Sequence, residues 1–357
     1  MLSLEYKPYT LDFNFAAGTS RGVMHQRKVW FLKIGSKYDS VYGIGEVAPL
    51  KGLSYDNIES IEAALEEVGK RLVKYIIPKD EGASLELATK ICPKGFPSVQ
   101  FGLEMALLDL VNGGRRLFFD NHFYRAQQSI KINGLVWMGD ATEMKHRIKE
   151  KISSGFDCIK MKIGAIDFDE ELELLRYTRQ QSPNLIIRVD ANGAFDVRDA
   201  LRRLKELKDL NLHSIEQPIL PSQLEAMQLL CAKGAVKVAL DEELVGHFGY
   251  RDKEKLLDFL KPPYIVLKPS LLGGFEQTRQ WIRLAEEREI GWWITSALES
   301  NVGLNAICQL TATYPNKLHQ GLGTGQLYHN NIDSPLQVEA GEIRYLSVKK
   351  WVDPFQI

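Results

Sequence analysis

The sequence lacks the features that mark membrane, secreted and nucleic-acid-binding proteins. Its 357 residues contain no apolar run of about 18 residues, so no transmembrane helix is expected. The N-terminal stretch MLSLEYKPYT has neither the basic start nor the apolar segment of a secretory signal. The formal net charge is −1 and no block of like charge occurs, which argues against nucleic acid or a membrane surface as a partner.

Cysteine is also scarce. The chain has four cysteines, Cys92, Cys158, Cys231 and Cys308, and none belongs to a CxxC pair. Scattered cysteines of this kind indicate free thiols, which are typical of proteins in a reducing compartment. We therefore expect a cytoplasmic protein without a disulfide framework.

What the sequence does contain is enough apolar material for a large core. It is 45% hydrophobic over 357 residues, which favours two domains, or one barrel with additions. Residues 1–125 combine strand-like and helix-like patterns, which predicts an α+β capping domain. The predicted strands lie near residues 3–15, 28–36 and 40–48, and the predicted helices cover residues 56–74 and 99–111.

Two polar, glycine-containing segments, residues 17–23 and 49–55, interrupt this first part. Loops on a rigid domain often close over a site. Ordinary hairpin turns explain the same pattern, and the sequence leaves both interpretations open.

From Lys131 onward the chain changes its period. Eight short apolar runs start near residues 131, 157, 185, 213, 237, 264, 291 and 319, at intervals of 24 to 28 residues. Strand-like runs at this spacing, with helical stretches between them, predict an α/β fold in which a (β/α) barrel occupies residues 126–325. Residues 326–357 show no helix of the expected kind, and we predict that they pack back on the capping domain.

Three of these runs end in a carboxylate. The stretch LIIRVDANG supplies Asp190, HSIEQPI supplies Glu216, and KVALDEE supplies Asp241, at separations of 26 and 25 residues. Neighbouring barrel strands carry their end residues to one rim, where three carboxylates form a set of oxygen ligands suited to Mg²⁺. Glu243 shares a strand face with Asp241, so on pattern alone either residue could be the third ligand.

Lysines accompany the acids. In DCIKMKI, Lys160 and Lys162 lie two residues apart and therefore point to one face of a strand. Lys268 ends the run YIVLKPS, across the predicted barrel. A nearby metal ion and a second ammonium group would lower the pKa of such a lysine toward the range in which it acts as a base. The alternatives are an outward-facing pair and a single lysine that reaches solvent.

The remaining polar and glycine residues near the strand ends are candidates for substrate contact. Glycines in the eighth run, GLGTG, leave space and expose backbone N–H groups to an anion. We predict that the substrate-binding residues are Leu53, Ser54, Arg188, Asn192, Ser296, Gly321 and Leu322.

These residues together resemble the enolase superfamily, and the resemblance covers nearly the whole chain. It implies an α+β capping domain followed by a (β/α)7β barrel. The set Lys160-x-Lys162, Asp190, Glu216, Asp241 and Lys268 matches the muconate-lactonising subgroup position by position. The resemblance implies that the three acids bind Mg²⁺, or Mn²⁺ in its place, and that Asp241 rather than Glu243 is the third ligand. The histidine that mandelate-racemase-type members carry on strand seven is absent.

Within the subgroup the chain is similar to the o-succinylbenzoate synthases, on the stretches GEVAPLKGLS, IRVDANGAF, TSALESNVGLNAI and GLGTGQLYHNNI. This resemblance implies a Mg²⁺-assisted syn dehydration in menaquinone biosynthesis. In it Lys162 would move the proton, Lys268 would stabilise the anion, and Lys160 and Arg188 would tune the site. Dipeptide epimerases carry acids in the eighth strand, which GLGTG lacks. Muconate cycloisomerase and N-acylamino-acid racemase remain alternatives within the subgroup.

Two other classes compete with this interpretation. A metal-free Schiff-base lyase would use one lysine as an amine nucleophile. A binding protein that has lost catalysis would keep the fold, although the intact set of lysines and acids argues against such a loss. The expected ligand is a small carboxylate, and the sequence leaves the oligomeric state open, a homo-oligomer included.

Overall fold

The computed structural model describes residues 1–19, 22–36 and 38–357. The chain begins with an antiparallel sheet in the order β1 (Leu2–Thr19), β2 (Gly22–Ser36), β3 (Tyr42–Val47). Three helices follow: α1 (Ile61–Leu72), which a short 3-10 turn at Ile58–Ser60 precedes, α2 (Glu81–Ile91) and α3 (Pro97–Val111). The predicted strands and both predicted helices are present, whereas α2 was not predicted.

Alternation along β2 explains how this sheet joins two cores. Trp30, Leu32 and Ile34 pack with the helices of the first domain. Val29 and Phe31, on the opposite face, belong to the core that continues into the rest of the molecule. Because successive side chains of a strand point to opposite faces, the apolar run of β2 is buried on both sides.

Residues 17–23, for which the sequence left a loop over a site and a hairpin turn open, belong to the hairpin of β1 and β2, which pairs as far as Thr19 and Gly22. Ala17 and Gly18 are buried, whereas Val23 is exposed. Gly22 and Val23 also line the cavity above the barrel rim, as the loop interpretation expects. Ser20 and Arg21 of the predicted loop lie outside the described residues.

The second part is built from alternating strands and helices. In chain order they are β4 (Ile130–Lys131), β5 (Gly134–Val136), α4 (Ala141–Ser153), β6 (Cys158–Lys162), α5 (Phe168–Gln181), β7 (Ile186–Asp190), α6 (Val197–Glu206), β8 (Ser214–Glu216), α7 (Leu224–Lys233), β9 (Val238–Leu240), α8 (Tyr250–Leu260), β10 (Tyr264–Leu267), α9 (Pro269–Leu272), α10 (Phe275–Glu286), β11 (Gly291–Ile294) and α11 (Asn301–Thr311). Short 3-10 turns occupy Lys208–Leu210, Glu242–Leu244 and Gly323–Gln326.

Strands β5 to β11 form one parallel sheet in sequence order. The eighth run closes it, since Gly321 bridges Thr295 after β11 and Gln320 bridges Ile132 before β5, both in parallel. The predicted (β/α)7β barrel is confirmed. The Asp167 and Asp196 side chains cap the first turns of α5 and α6.

The C-terminal residues form β12 (Leu336–Glu339) and β13 (Glu342–Tyr345), and β13 pairs with β4 of the second part. The tail also reaches the first sheet, where the Tyr9 hydroxyl donates to the Asn330 carbonyl oxygen at 2.8 Å. The boundaries between capping domain, barrel and C-terminal segment, at residues 125/126 and 325/326, stay a prediction.

Buried carboxylates join the first sheet and helices to the barrel. Glu46 of β3 accepts hydrogen bonds from the backbone N–H groups of Ser300 and Gly303, each at 2.8 Å, at the start of α11. Glu104 of α3 accepts from the N–H of Phe275 at the start of α10, and burial raises its pKa to about 8. Both contacts place a carboxyl group at the positive end of a barrel helix.

All four cysteines are free thiols, as predicted. None of the helices in the described part of the chain has the length and apolarity that crossing a membrane requires.

The close approach of β3 to α3 gives a test of this packing. A Cβ atom added at Gly45 would lie 2.0 Å from the Gly102 carbonyl oxygen. Because that oxygen belongs to a helix backbone, Gly45→Ala should lower the free energy of unfolding by about 1–3 kcal/mol or more. Denaturant titration measures the change.

The control is Gly69→Ala in α1, where nothing lies within 4 Å of the added atom. Alanine is the better helix former, so this variant should be more stable by roughly 0.5–1 kcal/mol. Equal denaturation midpoints for the two variants would contradict the close packing of β3 on α3.

Candidate active site

Pairing in the barrel sheet places the predicted lysines and acids side by side. Lys162 lies opposite Asp190, and Asp190 lies opposite Glu216, across β6, β7 and β8. Asp241 follows β9 by one residue and Lys268 follows β10 by one residue. Because all strands run in parallel, these five side chains meet at the carboxyl end of the barrel.

A thin apolar layer lies deeper in the barrel, beneath the charges. Ala239, Val266 and Trp293 are inward-facing and form a small cluster with Tyr264 and Leu318. Arg188 belongs to this deeper level, where its guanidinium carbon lies 3.9 Å from the Trp293 ring centroid. The charged groups therefore sit on a floor that water does not occupy freely, which strengthens their mutual interactions.

The three acids are fully buried and paired with lysines. The Lys160 Nζ lies 2.9 Å from the Asp190 Oδ2 and 2.9 Å from the Glu216 Oε1. The Lys162 Nζ lies 2.6 Å from the Asp190 Oδ2, and it also donates to the Asn192 Oδ1 at 2.7 Å. Lys268 forms an ion pair with Asp241. Burying these charges without such partners would cost a large amount of free energy.

The lysines differ in their protonation. Burial, together with the charges of Lys160 and Lys268, lowers the pKa of Lys162 below its ordinary value. Burial opposes the charge of Lys160 and Lys268 as well, but the neighbouring acids outweigh it and raise the pKa of both. The site therefore combines two firmly charged ammonium groups with one lysine displaced toward the neutral amine.

The acids differ in the same way. Burial would raise the pKa of Asp190, but the three lysines around it hold that pKa well below its usual range. Burial and the nearby Asp190 charge raise the pKa of Glu216 to about 8. Burial also raises the pKa of Asp241. Burial favours the neutral form of Glu216 and Asp241. An additional cation nearby would stabilise their charged carboxylate form.

Within the described residues, no three acidic, histidine or cysteine side chains stand in positions that would hold one metal ion. Lys160 and Lys268 instead make hydrogen bonds to the carboxylate oxygens as counter-ions. The donor chemistry nevertheless fits a hard divalent cation, because three buried carboxylates end three adjacent strands. A cation shared by the three would take over contacts that the ammonium groups now make.

Asp241 and Glu243, which the pattern left as equal candidates, have different surroundings. Asp241 is paired with Lys268 inside the barrel. Glu243 accepts from the Ser222 N–H at 2.8 Å and from the Gln217 side chain at 3.2 Å. Glu243 thus fixes a neighbouring loop, and Asp241 is the residue that joins the charged cluster.

A cavity opens above the lysines, between the barrel rim and the first domain. Four of the predicted substrate-binding residues line it: Leu53, Asn192, Ser296 and Gly321. Leu50 and Lys51 also line it, so the predicted loop at residues 49–55 covers the cavity.

Three predicted substrate contacts, Ser54, Leu322 and Arg188, do not line the cavity. The Ser54 hydroxyl accepts from the Leu50 N–H at 2.7 Å within its own turn. Leu322 is completely buried. Arg188 donates to the His319 carbonyl oxygen at 2.7 Å, one layer below the cavity. Arg188 was predicted from its sharing a face with Asp190, but strand alternation does not distinguish the rim from the layer beneath.

Sequence reasoning missed a second group of lining residues: Met24, Asn133, Leu135, Trp137, Thr295, Ala297 and Leu298. Asn133, Leu135 and Trp137 alternate along the first barrel strand, and that period of two was the available signal. The signal is weak because the three alternating positions, Asn133, Leu135 and Trp137, carry no charge.

Comparison with known proteins gives consistent matches. Residues 143–348 match a family model described as "Enolase C-terminal domain-like". The chain is 46% identical to the o-succinylbenzoate synthase of Desulfotalea psychrophila, over 95% of this chain and 98% of that protein.

Solved structures give the same picture of the fold. The crystal structure of MenC from Desulfotalea psychrophila superposes with a TM-score of 0.86 at 43% identity, and covers 96% of this chain and 99% of that one. A dipeptide epimerase from Cytophaga hutchinsonii, complexed with Mg and the dipeptide D-Ala-L-Val, gives a TM-score of 0.85 over 99% of this chain and 97% of that one. At 18% identity, the latter is similar in fold alone.

The counter-ion role of Lys160 is testable by measuring stability. In the presence of a chelator, Lys160→Met should lower the free energy of unfolding by about 3–5 kcal/mol, because Asp190 and Glu216 lose the ammonium group between them. The matched control is Lys131→Met. Its partner Asp157 lies at 3.5 Å, and both side chains of that pair are more than half exposed.

The control should cost no more than about 1 kcal/mol, because exposed ion pairs contribute little. Denaturant titrations of the two variants and the unmodified protein supply the comparison. A similar small loss for both variants would show that Lys160 is not needed to neutralise the acids.

Proposed function

The chain belongs to the enolase superfamily, and from that premise we propose that it acts as an o-succinylbenzoate synthase. This hydro-lyase removes water from 2-succinyl-6-hydroxycyclohexa-2,4-diene-1-carboxylate to give 2-succinylbenzoate in menaquinone biosynthesis. The observation that carries the proposal is the 46% identity to a synthase of that name along nearly the full length of both proteins. The paired lysines and acids at the barrel rim supply the groups that this chemistry needs.

The charge of the site supports a carboxylate substrate. With Lys162 as the neutral base, the buried cluster holds two ammonium groups and three carboxylates, so a bound divalent cation would leave one positive charge. A substrate carboxylate would match that charge. The glycines at positions 321 and 323 provide no acid for the ammonium group of a zwitterionic dipeptide.

We assign the metal site to Asp190, Glu216 and Asp241, and we propose that its ion is Mg²⁺, with Mn²⁺ as a substitute. When bound, the ion supplies positive charge next to the substrate carboxylate, where negative charge develops during proton removal. The protein contributes the fixed geometry of three adjacent strand ends.

Lys162 is the proposed base. Its lowered pKa favours the neutral amine that can accept a proton from the carbon next to the carboxylate. The resulting ammonium group then donates that proton to the departing hydroxide on the same face, so that water leaves and the lysine returns to its initial state. Asn192 holds the Lys162 Nζ in position through its 2.7 Å contact.

Lys268 is the proposed anion-stabilising group. It extends from the strand opposite Lys162, and its raised pKa keeps it charged. An ammonium group held in a buried position against the opposite face of the ring stabilises the anion as it forms, without any reorganisation of solvent. Lys160 stays charged and lowers the pKa of Lys162.

N-acylamino-acid racemase is the second candidate, and one observation favours it. Lys162 and Lys268 extend from opposite sides of the barrel, so one lysine can remove a proton and the other can return a proton to the opposite face. A metal-free Schiff-base lyase is less favoured, since each lysine is engaged with a buried carboxylate.

Calorimetric titration with Mg²⁺ tests the metal site. Asp190→Asn, Glu216→Gln and Asp241→Asn should each weaken Mg²⁺ binding at least about tenfold, because the charge and number of oxygen ligands set the affinity. Glu243→Gln is the matched control and should keep the affinity, since Glu243 bonds to Gln217 and Ser222 instead. Weaker binding in Glu243→Gln together with unchanged affinity in Asp241→Asn would remove Asp241 from the ligand set.

Turnover of the cyclohexadiene acid with Mg²⁺ tests the reaction itself. Lys162→Ala should lower kcat by at least about a hundredfold, which is the usual contribution of a general base. Lys237→Ala, at an exposed lysine before β9 and thus at the other end of the barrel, should leave kcat unchanged.

N-succinyl amino acids belong in the same assay. Racemisation of these compounds without dehydration of the diene would favour the racemase. Near-normal turnover by Lys162→Ala would remove Lys162 from its proposed role.

A further inference from the structure

The loop that covers the active-site cavity brings one charged side chain to it. Residues 49–55 follow β3 and cover the cavity above the lysines of the barrel. Lys51 belongs to this loop, lines the cavity and is exposed to solvent. Among the described residues that line the cavity, it is the one charged residue outside the buried cluster of lysines and acids. Its ammonium group can therefore reach a ligand without any change in the barrel.

Lys51 is also available for a new contact. In the described part of the chain its ammonium group pairs with no acid. Two other lysines of the first sheet differ in this respect, because Lys28 and Lys33 lie 3.0 Å and 3.4 Å from carboxylate oxygens of Glu62 and Glu5. The Lys51 ammonium group keeps its three N–H donors for a ligand or for water.

Both ends of the loop are attached to the barrel. At its start, the Arg27 guanidinium donates to the carbonyl oxygens of Ala48 and Ala297, and Ala297 lies in the segment after β11. At its end, the Tyr55 ring packs edge-on against Phe248 in the segment after β9, with ring centroids 5.2 Å apart. The loop thus reaches from the seventh strand of the barrel to the fifth.

These attachments place Lys51 on one side of the cavity. Strand β10 lies between β9 and β11 in the sheet, so the loop passes over the end of β10, where Lys268 stands. Within the loop, the Leu50 N–H donates to the Ser54 hydroxyl at 2.7 Å, and the Leu53 N–H donates to the Leu50 carbonyl oxygen at 3.0 Å. This closed turn holds Lys51 on the Lys268 side of the cavity.

The charge of the site leaves part of the proposed substrate unmatched. With a divalent cation bound and Lys162 neutral, the buried cluster carries one positive charge, which the carboxylate on the ring matches. The substrate carries a second carboxylate at the end of its succinyl chain. A carboxylate in a partly enclosed cavity costs free energy unless a donor meets it. Lys51 is the charged donor that the described lining residues offer for this purpose.

We propose that Lys51 binds the distal carboxylate of the succinyl chain and so selects this substrate over one without that charge. The inference rests on the proposed function, because it takes its ligand from that reaction. Leu50 and Leu53 line the cavity beside Lys51 and offer apolar contact to the two methylene groups of the chain. N-succinyl amino acids carry the same chain, so the contact concerns the succinyl group and not the reacting carbon.

The distance of this contact from the chemistry determines its kinetic effect. The distal carboxylate keeps its charge throughout the reaction, so Lys51 binds it equally well in the ground state and in the transition state. Removal of such an interaction raises KM and leaves kcat nearly unchanged. Lys51→Met should therefore raise the KM for the cyclohexadiene acid about tenfold, which corresponds to the loss of one hydrogen bond to a charged group.

The direct test compares two ligands that differ only in the distal charge. Dissociation constants are measured by calorimetry on the full-length protein with Mg²⁺, for 2-succinylbenzoate and for its analogue with a carboxamide in place of the distal carboxylate. Lys51→Met should weaken 2-succinylbenzoate about tenfold and leave the carboxamide nearly unchanged. Lys51→Arg, which keeps the charge, should restore the affinity.

The matched control is Lys70→Met in α1. Lys70 is an exposed lysine of the same domain, and it does not line the cavity. Its removal takes away the same charge, and both dissociation constants should stay unchanged. Because Lys51 is exposed, Lys51→Met should also keep the melting temperature. Added salt should reduce the preference of the unmodified protein for 2-succinylbenzoate, since an exposed ion pair is screened.

The outcomes separate the contact from the reaction. Equal weakening of both ligands by Lys51→Met, or weakening of neither, would overturn the contact even if the unmodified protein dehydrates the diene. The same holds if Lys70→Met weakens 2-succinylbenzoate as much as Lys51→Met does. Selective weakening by Lys51→Met in a protein that does not dehydrate the diene would uphold the contact and overturn the proposed reaction.

Discussion

Three lysines and three acids share a volume that is almost closed to water, and the ion pairs between them offset the burial of their charges. Lys160 alone contacts two of the acids, at 2.9 Å from each. The free energy of bringing these six charges out of water is large, and mutual attraction together with hydrogen bonds offsets it. The remaining architecture of the barrel rim serves to hold this cluster in register.

The register comes from the parallel sheet, and the enclosure comes from the first domain. Neighbouring strands fix Lys162, Asp190 and Glu216 side by side. The loop after β3 then covers the lysines from above, anchored by Glu46 at the start of α11. A barrel without this cover would expose the cluster to solvent, where the differences in pKa that the chemistry requires would shrink.

The sequence predicted the structural features that repeat along the chain or alternate along a strand. The interval of 24 to 28 residues gave the barrel, and the period of two placed Lys160 and Lys162 on one face. The pattern did not resolve depth along a strand, so Arg188 was assigned to the cavity although it lies beneath it. It also missed Asn133 and Trp137, because uncharged residues in a barrel strand are indistinguishable from ordinary core until the cavity that they line is seen.

The contact between Glu104 and the start of α10 has a consequence for how such chains evolve and how they can be engineered. The carboxyl group belongs to one part of the chain and its N–H partner to the other, and both are buried. If either half were exchanged for that of a distant relative, the carboxyl group or the N–H at the helix start would lose its hydrogen-bond partner at the junction. The two halves are therefore matched to each other at this junction, and an exchange of one half has to keep both the carboxyl group and the helix start.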